Sequence, residues 1–539
     1  MHREEEQAIA TAAGLAAHSE WDHAAMVRGH TAMNRRSIAS KIQTQWVAHL
    51  REYAPWPHRV GTILLTILLL LTAVPASAAT LPVPHSDSSA IAPGTDTNIV
   101  INEIYYLPGV ANDPLEFIEL YNRGSKSVDL SSSGLHDAVT YQLPAGTSLQ
   151  AGGYLIIAQD PQRFQEQYKR SALGPYSGRL AAEGETISLY TNGILVDQVS
   201  YGLGFPWPVA GGSAGTSIQL LHPSLDNGTG GHWRSAAPTP GRPNVGRTLD
   251  LPPAIHSVSH APASPRSGES VRVTATVSDP DEVGLVELLY QVVAPGAYIS
   301  LDDPAYATNW TALTMAPAGE NSYTVDLPAR LQRHRNLIRY RIRAGDRLNY
   351  QITVPYGDDP QPNFAYFVYD GEPAWSGAID GGAAKRATYD FDKMRPLPVY
   401  HLIASKEDVA DAMFIPDSDR KEGYIGSEYP WRATFVYDGT VYDHISFRAR
   451  GGQTRYATGK NMLKFNFNRG HRLQAYDNYG RPYQVKWDKL NLSAVIQQTH
   501  RLHRGEQGMF ESLSFRLFNM SGVEAPLTHF IRLRIIDQR

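Results

Sequence analysis

The sequence predicts a multidomain, mainly β protein, and three observations predict it. At 539 residues the chain is too long for one ordinary hydrophobic core, and its length suggests about three or four domains. Gly (45), Pro (36) and Tyr (29) are abundant, and helix-forming Ala-Glu-Lys stretches are scarce, which favours short strands separated by turns. Runs of alternating apolar and polar residues recur along the chain, each bounded by Gly, Asn, Asp or Pro.

The charge balance narrows the partners. Lys+Arg 49 against Asp+Glu 53 leaves a net charge of −4, so there is no global attraction to nucleic acid or anionic membrane, and any basic site must be local. The absence of cysteine excludes disulfides, Cys-ligated zinc, iron–sulfur clusters, cysteine nucleophiles and an acyl anchor on Cys.

Near the N-terminus, VGTILLTILLLLTAVPASAAT (60–80) follows His58-Arg59. It joins an apolar core to Pro75 and the small-residue pattern Ala76-Ser77-Ala78. This predicts a signal peptide or membrane segment over 60–79, with export favoured because the apolar run is shorter than the roughly 20 residues of a comfortable span. The expected location is therefore secreted or cell surface, with membrane association through this segment as the alternative. Residues 1–59 form an extension, and Met33 followed by Asn34-Arg35-Arg36 suggests that 1–32 come from an upstream start. Residues 80–96, rich in Ser, Pro and Ala, read as a linker.

Four short β runs follow: Ile99 to Ile104, Glu116 to Asn122, Tyr154 to Ala158 and Thr186 to Tyr190. Their spacing predicts a small β-sandwich. Glu116 and Glu119 sit on or beside the second run, and the expectation for them is solvated strand-edge charge. The ordered motifs IVINEIYY, DPLEFIELYNRGSKSVDLSSSGL, LQAGGYLIIAQD, GETISLYTNGILVDQVSYG and WRSAAPTPGRPN together resemble a bacterial lamin-tail domain over about 97–245. The resemblance implies an immunoglobulin-like fold and a binding or positioning module, whose ligand it does not name.

Strict alternation in Ser270 to Val277 and in Leu337 to Ala344 predicts a second, immunoglobulin- or fibronectin-like sandwich over 252–356. Its acidic turn Asp279-Pro280-Asp281-Glu282 reads as solvated. A Tyr/Gly/Asp-rich connector, 357–396, leads to a mixed segment from 397 to 539. There Pro398 to Ile403 reads as a strand and Glu407 to Met413 as a helix started by Ser405. Arg432 to Tyr437 and Val441 to Arg450 read as a hairpin turning at Asp438-Gly439.

Within that segment, FRARGGQTRYATGKNMLKFNF (447–467) is the candidate site. Period two puts Ile445, Phe447 and Ala449 on one face of a strand, and Ser446, Arg448 and Arg450 on the other. Leu463, Phe465 and Phe467 form the apolar face of the next run, with Lys464 pointing away. Pairing of the apolar faces would bring Arg448, Arg450 and Lys464 together, beside glycines whose N–H groups can approach an anion closely. The pattern suits phosphate, although alternating cationic strands are more often a solvated face or a set of structural salt bridges. No Walker motif or kinase-type GxGxxG is present.

The run YIGSEYPWRATFVYDGTVYDHISFRARGGQTRYATGKNMLKFNF, then WDKLNLSAV, then GMFESLSFRLFNMSGVEAPLTHFIRLRI, resembles the N-terminal part of the CotH kinase family, atypical kinases of secreted or surface proteins. The resemblance covers 397–539. It implies an incomplete α+β atypical-kinase-like domain, ATP with Mg²⁺ as cofactor, and a secreted or surface protein as substrate. In kinases a strand lysine on the nucleotide phosphates is held by a helix glutamate. Carried over, that pair is Lys464 with Glu511, Lys460 being the alternative lysine. Glu511 lies on a helix expected over Gly508 to Ser521 and stopped by Gly522.

The family's acidic catalytic and metal motifs follow the strand that ends this sequence, so the catalytic residues are expected beyond Arg539. The chain then reads as truncated, with an exposed apolar edge. A non-catalytic surface-binding protein is the alternative. An exported hydrolase is disfavoured: GxSxG and HExxH are missing, and His500 and His503 read as loop residues.

Overall fold

In the computed structural model the chain divides into two units, Met1–Ala90 and Ile91–Arg539. The described residues all belong to the second: 98–210, 215–246, 251–348, 350–377, 387–394, 397–414, 428–450, 461–477, 479–493 and 506–538. The N-terminal extension, the apolar segment 60–79, the linker 80–96, Lys460 and the histidines at 500 and 503 lie outside them.

The described part is mainly β, built from antiparallel sheets with few helices. Its first domain is a sandwich of two five-stranded sheets. The alternating residues of Ile99–Tyr105, Phe117–Asn122 and Ser217–Leu220 in one sheet meet those of Ser133–Asp137, Glu185–Thr191 and Ile194–Tyr201 in the other. Ile101, Ile104, Ile118, Leu135, Leu189, Val199 and Trp233 fill the space between them. A short helix, Pro161–Tyr168, starts at Asp160, whose carboxylate accepts from the Gln162 and Arg163 amides, with Pro161 in the first turn.

The acidic residues of this domain depart from the sequence expectation. Glu116 and Glu119 are buried, at 1% and 0% exposure, where solvated edge charges were expected. Glu116 accepts from Tyr176 Oη, the Arg179 guanidinium and the Leu180 amide. Glu119 accepts from Asn102 Nδ2 and the Gly241 amide. Its cross-strand neighbour Glu103 accepts from Ser217, Gln219 and Thr239. Glu103 and Glu119 fasten the returning segment 237–244 onto the sheet and Glu116 fastens 176–180, and donors that satisfy these carboxylates are what makes their burial tolerable. Burial, with Glu103 alongside, raises the Glu119 carboxyl to about 8.

The second sandwich pairs Ala254–Ala261, Val271–Ser278 and Ser322–Leu327 in one sheet, and Val283–Val293, Leu337–Asp346 and Gln351–Val354 in the other. Its core holds Val271, Val273, Val277, Leu288, Ile338, Tyr340 and Ile342. The alternation visible in Val271–Ser278 is the burial pattern itself, with every second residue inside. Three strands lie within the stretch read as connector: Trp375–Gly377 pairs with Ala387–Tyr389, and Phe364–Phe367 pairs with Leu337–Asp346, so this sheet continues past residue 356.

The third domain is a six-stranded sheet. In spatial order its strands are Lys489–Leu492, Met462–Asn466, Thr440–Arg450, Trp431–Tyr437, Val399–Ile403 and Arg532–Ile536, the last of them parallel to its neighbour. The hairpin turns at Asp438 and Gly439, both at positive φ (49° and 74°), as a two-residue turn that follows strand twist requires. Ser405 caps the helix Lys406–Met413 by accepting from the Asp408 amide.

The three domains are joined by specific contacts. The Arg234 guanidinium lies 4.6 Å over the Tyr356 ring, and the Tyr356 hydroxyl donates to Pro206 O at 3.2 Å. Arg469 donates to Ala182 O and Ala210 O, and Arg472 pairs with Glu183 at 3.1 Å. The deepest joint is between the second and third domains. Arg339 and Asp443, both side chains 0% exposed, form a two-pronged ion pair at 2.7 and 3.0 Å. Arg339 also donates to Gln291 Oε1 and Ile299 O; Asp443 also accepts from Asn363 Nδ2 and Thr434 Oγ1. A register shift opposite Asp443 and His444, with His444 at φ 53°, turns both into this joint.

Candidate functional site

Alternation along the third sheet separates two faces with different chemistry. One face is apolar: Tyr400, Leu402, Ala433, Phe435, Ile445, Phe447, Leu463 and Phe465 share a core with Val409 and Ala412 of the helix Lys406–Met413. The other face is split. Toward one end, Ile403, Val436, Val441 and Ile536 pack against Val293, Leu337 and Phe367 of the second domain. Toward the other end it is polar.

On that polar end the register brings predicted site residues together. Arg448 pairs across the ladder with Lys464, which in turn pairs with Asn491. One step along, Arg432 opposes Ser446, which opposes Asn466, which opposes Lys489. Two parallel rows thus place Arg432, Arg448, Lys464 and Lys489 on one face, with the hydroxyl of Ser446 and the amides of Asn466 and Asn491 between the cations. Arg450 extends the row at an exposed position opposite Met462. Arg432 and Lys489 were not in the sequence-derived set. The signal for Arg432 was present in its position two residues before Thr434 on an alternating strand, whereas Lys489 sits in a strand too short to show a period.

Glu511 is placed elsewhere. The helix Glu506–Met520 runs beside the apolar face, where a cleft of about 590 Å³ is lined by Leu463, Leu492, Leu533, Ile535, Ser493 and Glu511 among others. The Ser493 hydroxyl lies 3.5 Å from Glu511 Oε2. Leu463 lines this cleft, so its neighbour Lys464 is directed to the opposite face, and the expected pairing of Lys464 with Glu511 is not what the register produces. The reason is positional: helical spacing identified the helix and its glutamate, but not the side of the sheet on which the helix lies.

Cationic strand residues flanked by amides and a hydroxyl suit phosphate oxygens, Arg448 as a planar fork and Lys464 as a point charge. The set gathered there, Ser446, Arg448, Lys464, Asn466 and Asn491, supplies no carboxylate for magnesium. The cations suit an anion, and the oxygen groups in that set are the Ser446 hydroxyl and the Asn466 and Asn491 amides.

A search of the curated proteins finds no match. Among solved structures, a similar one is the crystal structure of trypsin-activated alpha-2-macroglobulin from Escherichia coli, at 9% identity and a TM-score of 0.16. The likeness covers 74% of this chain and 28% of that one. A family model does match part of the first domain: residues 92–203 are recognised as a Lamin Tail Domain.

Proposed function

We propose that this chain is an exported modular protein in which the lamin-tail and immunoglobulin-like domains form a platform for a phosphate-binding sheet, the N-terminal part of a CotH-like kinase domain. The observation that carries the reading is the direct cross-strand pairing of Arg448 with Lys464, flanked by Arg432, Lys489, Ser446, Asn466 and Asn491. When bound, ATP would supply the transferable phosphoryl group, and these residues would hold its phosphates by charge-assisted hydrogen bonds. The acceptor is a secreted or surface protein in this reading, and the lamin-tail domain positions the sheet near it.

A second reading, a surface-binding protein without phosphoryl transfer, is favoured by one observation: Lys464 and Glu511 are directed to opposite faces of the sheet. Binding of a fluorescent ATP analogue to the intact chain, with and without Mg²⁺, separates the readings. Arg448→Ala and Lys464→Met should each weaken binding roughly tenfold, the effect of losing one charge-assisted contact, while Glu511→Gln leaves it unchanged. Undiminished affinity in both cation variants rejects the phosphate site.

A further inference from the structure

We infer that the second domain positions the cations of the third sheet, with Asp443 and His444 as the positioning residues: held in a β-bulge by the second domain, they place Ser446 and Arg448 on the polar face. The inference rests on the phosphate-binding reading above and adds to it a dependence on the neighbouring domain. Its ground is a change of parity along one strand. Ala433 and Phe435 of Trp431–Tyr437 are two positions apart, whereas their partners in Thr440–Arg450, Ile445 and Tyr442, are three apart. Asp443 and His444 therefore share the space opposite Thr434, one residue more than a regular ladder holds. Before the bulge, Tyr442 lies in the core with Phe435, and Val441 packs toward the second domain. After it the assignment reverses: Ile445 and Phe447 lie in that core, and Ser446 and Arg448 share the face that carries Val441. Unbroken alternation from Tyr442 would turn Ser446 and Arg448 into the core and Ile445 and Phe447 out of it.

The second domain supplies what holds this bulge. His444 sits at φ 53°, a conformation that a residue with a side chain adopts at a cost and keeps only when its surroundings fix it. Its buried ring is fixed at both nitrogens: Nε2 lies 2.9 Å from Asn363 Oδ1, and Nδ1 lies 3.2 Å from the Tyr298 hydroxyl. Asp443 carries the two-pronged pair with Arg339. The amides of both residues bond to side chains, that of Asp443 to Gln361 Oε1 at 2.7 Å and that of His444 to Asp443 Oδ1 at 2.8 Å. Their carbonyls both accept from Asn468 Nδ2 at 3.1 Å. The joint also adjoins the cations. Burial lowers the His444 imidazole, and the charges of Arg339, Arg341 and Arg432 add to this, which puts Arg432 of the polar face beside the bulge.

The test uses the intact chain, whose lack of cysteine makes one introduced thiol an unambiguous reporter of which face is outside. With Arg448→Cys the thiol should react readily with a maleimide, and with Ala449→Cys, at a position 2% exposed, it should be protected. Gln361→Ala and Asn363→Ala, singly and together, remove second-domain partners of the bulge without touching the third sheet. They should narrow the ratio of the two reactivities and, in the cysteine-free chain, weaken binding of the fluorescent ATP analogue by roughly tenfold. Adding His444→Gly to the double variant should restore both, because glycine takes the positive φ without being held. A merely structural role predicts the reverse, further loss on removing the His444 ring. Ile338→Val, a destabilised control in the second-domain core, should leave ratio and affinity unchanged. An unchanged ratio and affinity in the Gln361/Asn363 variants of a chain that binds the analogue, or further loss with His444→Gly, would overturn the positioning role alone. Failure of the unaltered chain to bind the analogue would overturn it together with the phosphate reading.

Discussion

Replacing Asp443 by Asn keeps the shape of the side chain and removes its charge, leaving the Arg339 guanidinium in a site where both partners are 0% exposed. Burial alone would push the Asp443 carboxyl up. Arg339, His444 and the hydrogen bonds outweigh this and hold it well below the usual range, so the pair exists as ions. Removing one partner of such a pair costs about 3–5 kcal/mol, because the remaining charge stays desolvated. A buried ion pair can often be exchanged for apolar residues at little cost, but here that exchange should fail. Arg339→Met with Asp443→Leu strands the Gln291 Oε1, Ile299 O, Asn363 Nδ2 and Thr434 Oγ1 groups, each about 1–3 kcal/mol if left unpaired. The assay is urea unfolding followed by tryptophan fluorescence, with limited proteolysis to show whether the second and third domains separate. Both variants should be destabilised, and the change should persist at high salt, which barely screens a buried pair. A loss below about 1 kcal/mol for Asp443→Asn, or a double variant as stable as wild type, would mean that this pair does not hold the joint.

The remaining predictions concern pH and the polar face. Burial, opposed by Glu372, lowers the His401 imidazole to about 4 from its ordinary 6.5, so the folded state prefers the neutral ring. Its contribution is complete above pH 6.5 and lost as pH falls toward 4, worth on the order of 3 kcal/mol, and His401→Phe should flatten that limb in pH-dependent urea titrations. Glu119 has the opposite sign: its raised value of about 8 means stability is lost as pH climbs from about 4.5 to 8. Glu119→Gln should remove this decline, while costing about 1–3 kcal/mol at pH 5, where either the Asn102 or the Gly241 donor loses its acceptor. On the polar face, Lys489→Ala should weaken ATP-analogue binding by less than roughly tenfold, because Lys489 also lies 3.6 Å from Asp488.

The strands and turns legible in the sequence are those whose local pattern and final environment agree. Val271–Ser278 alternates because both its faces are decided locally, and Asp438-Gly439 announces its turn through residues that tolerate positive φ. Ser405, Lys406–Met413 and Gly522 were readable for the same reason. The buried polar joints were not. Glu119 receives the Gly241 amide from 122 positions away, and Arg339 meets Asp443 across 104, separations at which no window of sequence carries a signal. Nor could local spacing distinguish a solvated carboxylate from one buried against distant donors, as Glu116 is against Leu180 and Glu119 against Gly241. In the candidate site the face shared by Arg448 and Lys464 followed from period two alone. The face opposite it, where Glu511 lies, depended on how the chain crosses the sheet between them.

Whether phosphate binds the polar face of the third sheet, as proposed, is read by hydrogen exchange with and without a non-hydrolysable ATP analogue. Binding there should slow exchange in Thr440–Arg450 and Met462–Asn466 and leave the helix Glu506–Met520 unaffected. Protection confined to that helix and the strand Arg532–Ile536 would place the nucleotide in the apolar cleft and contradict it.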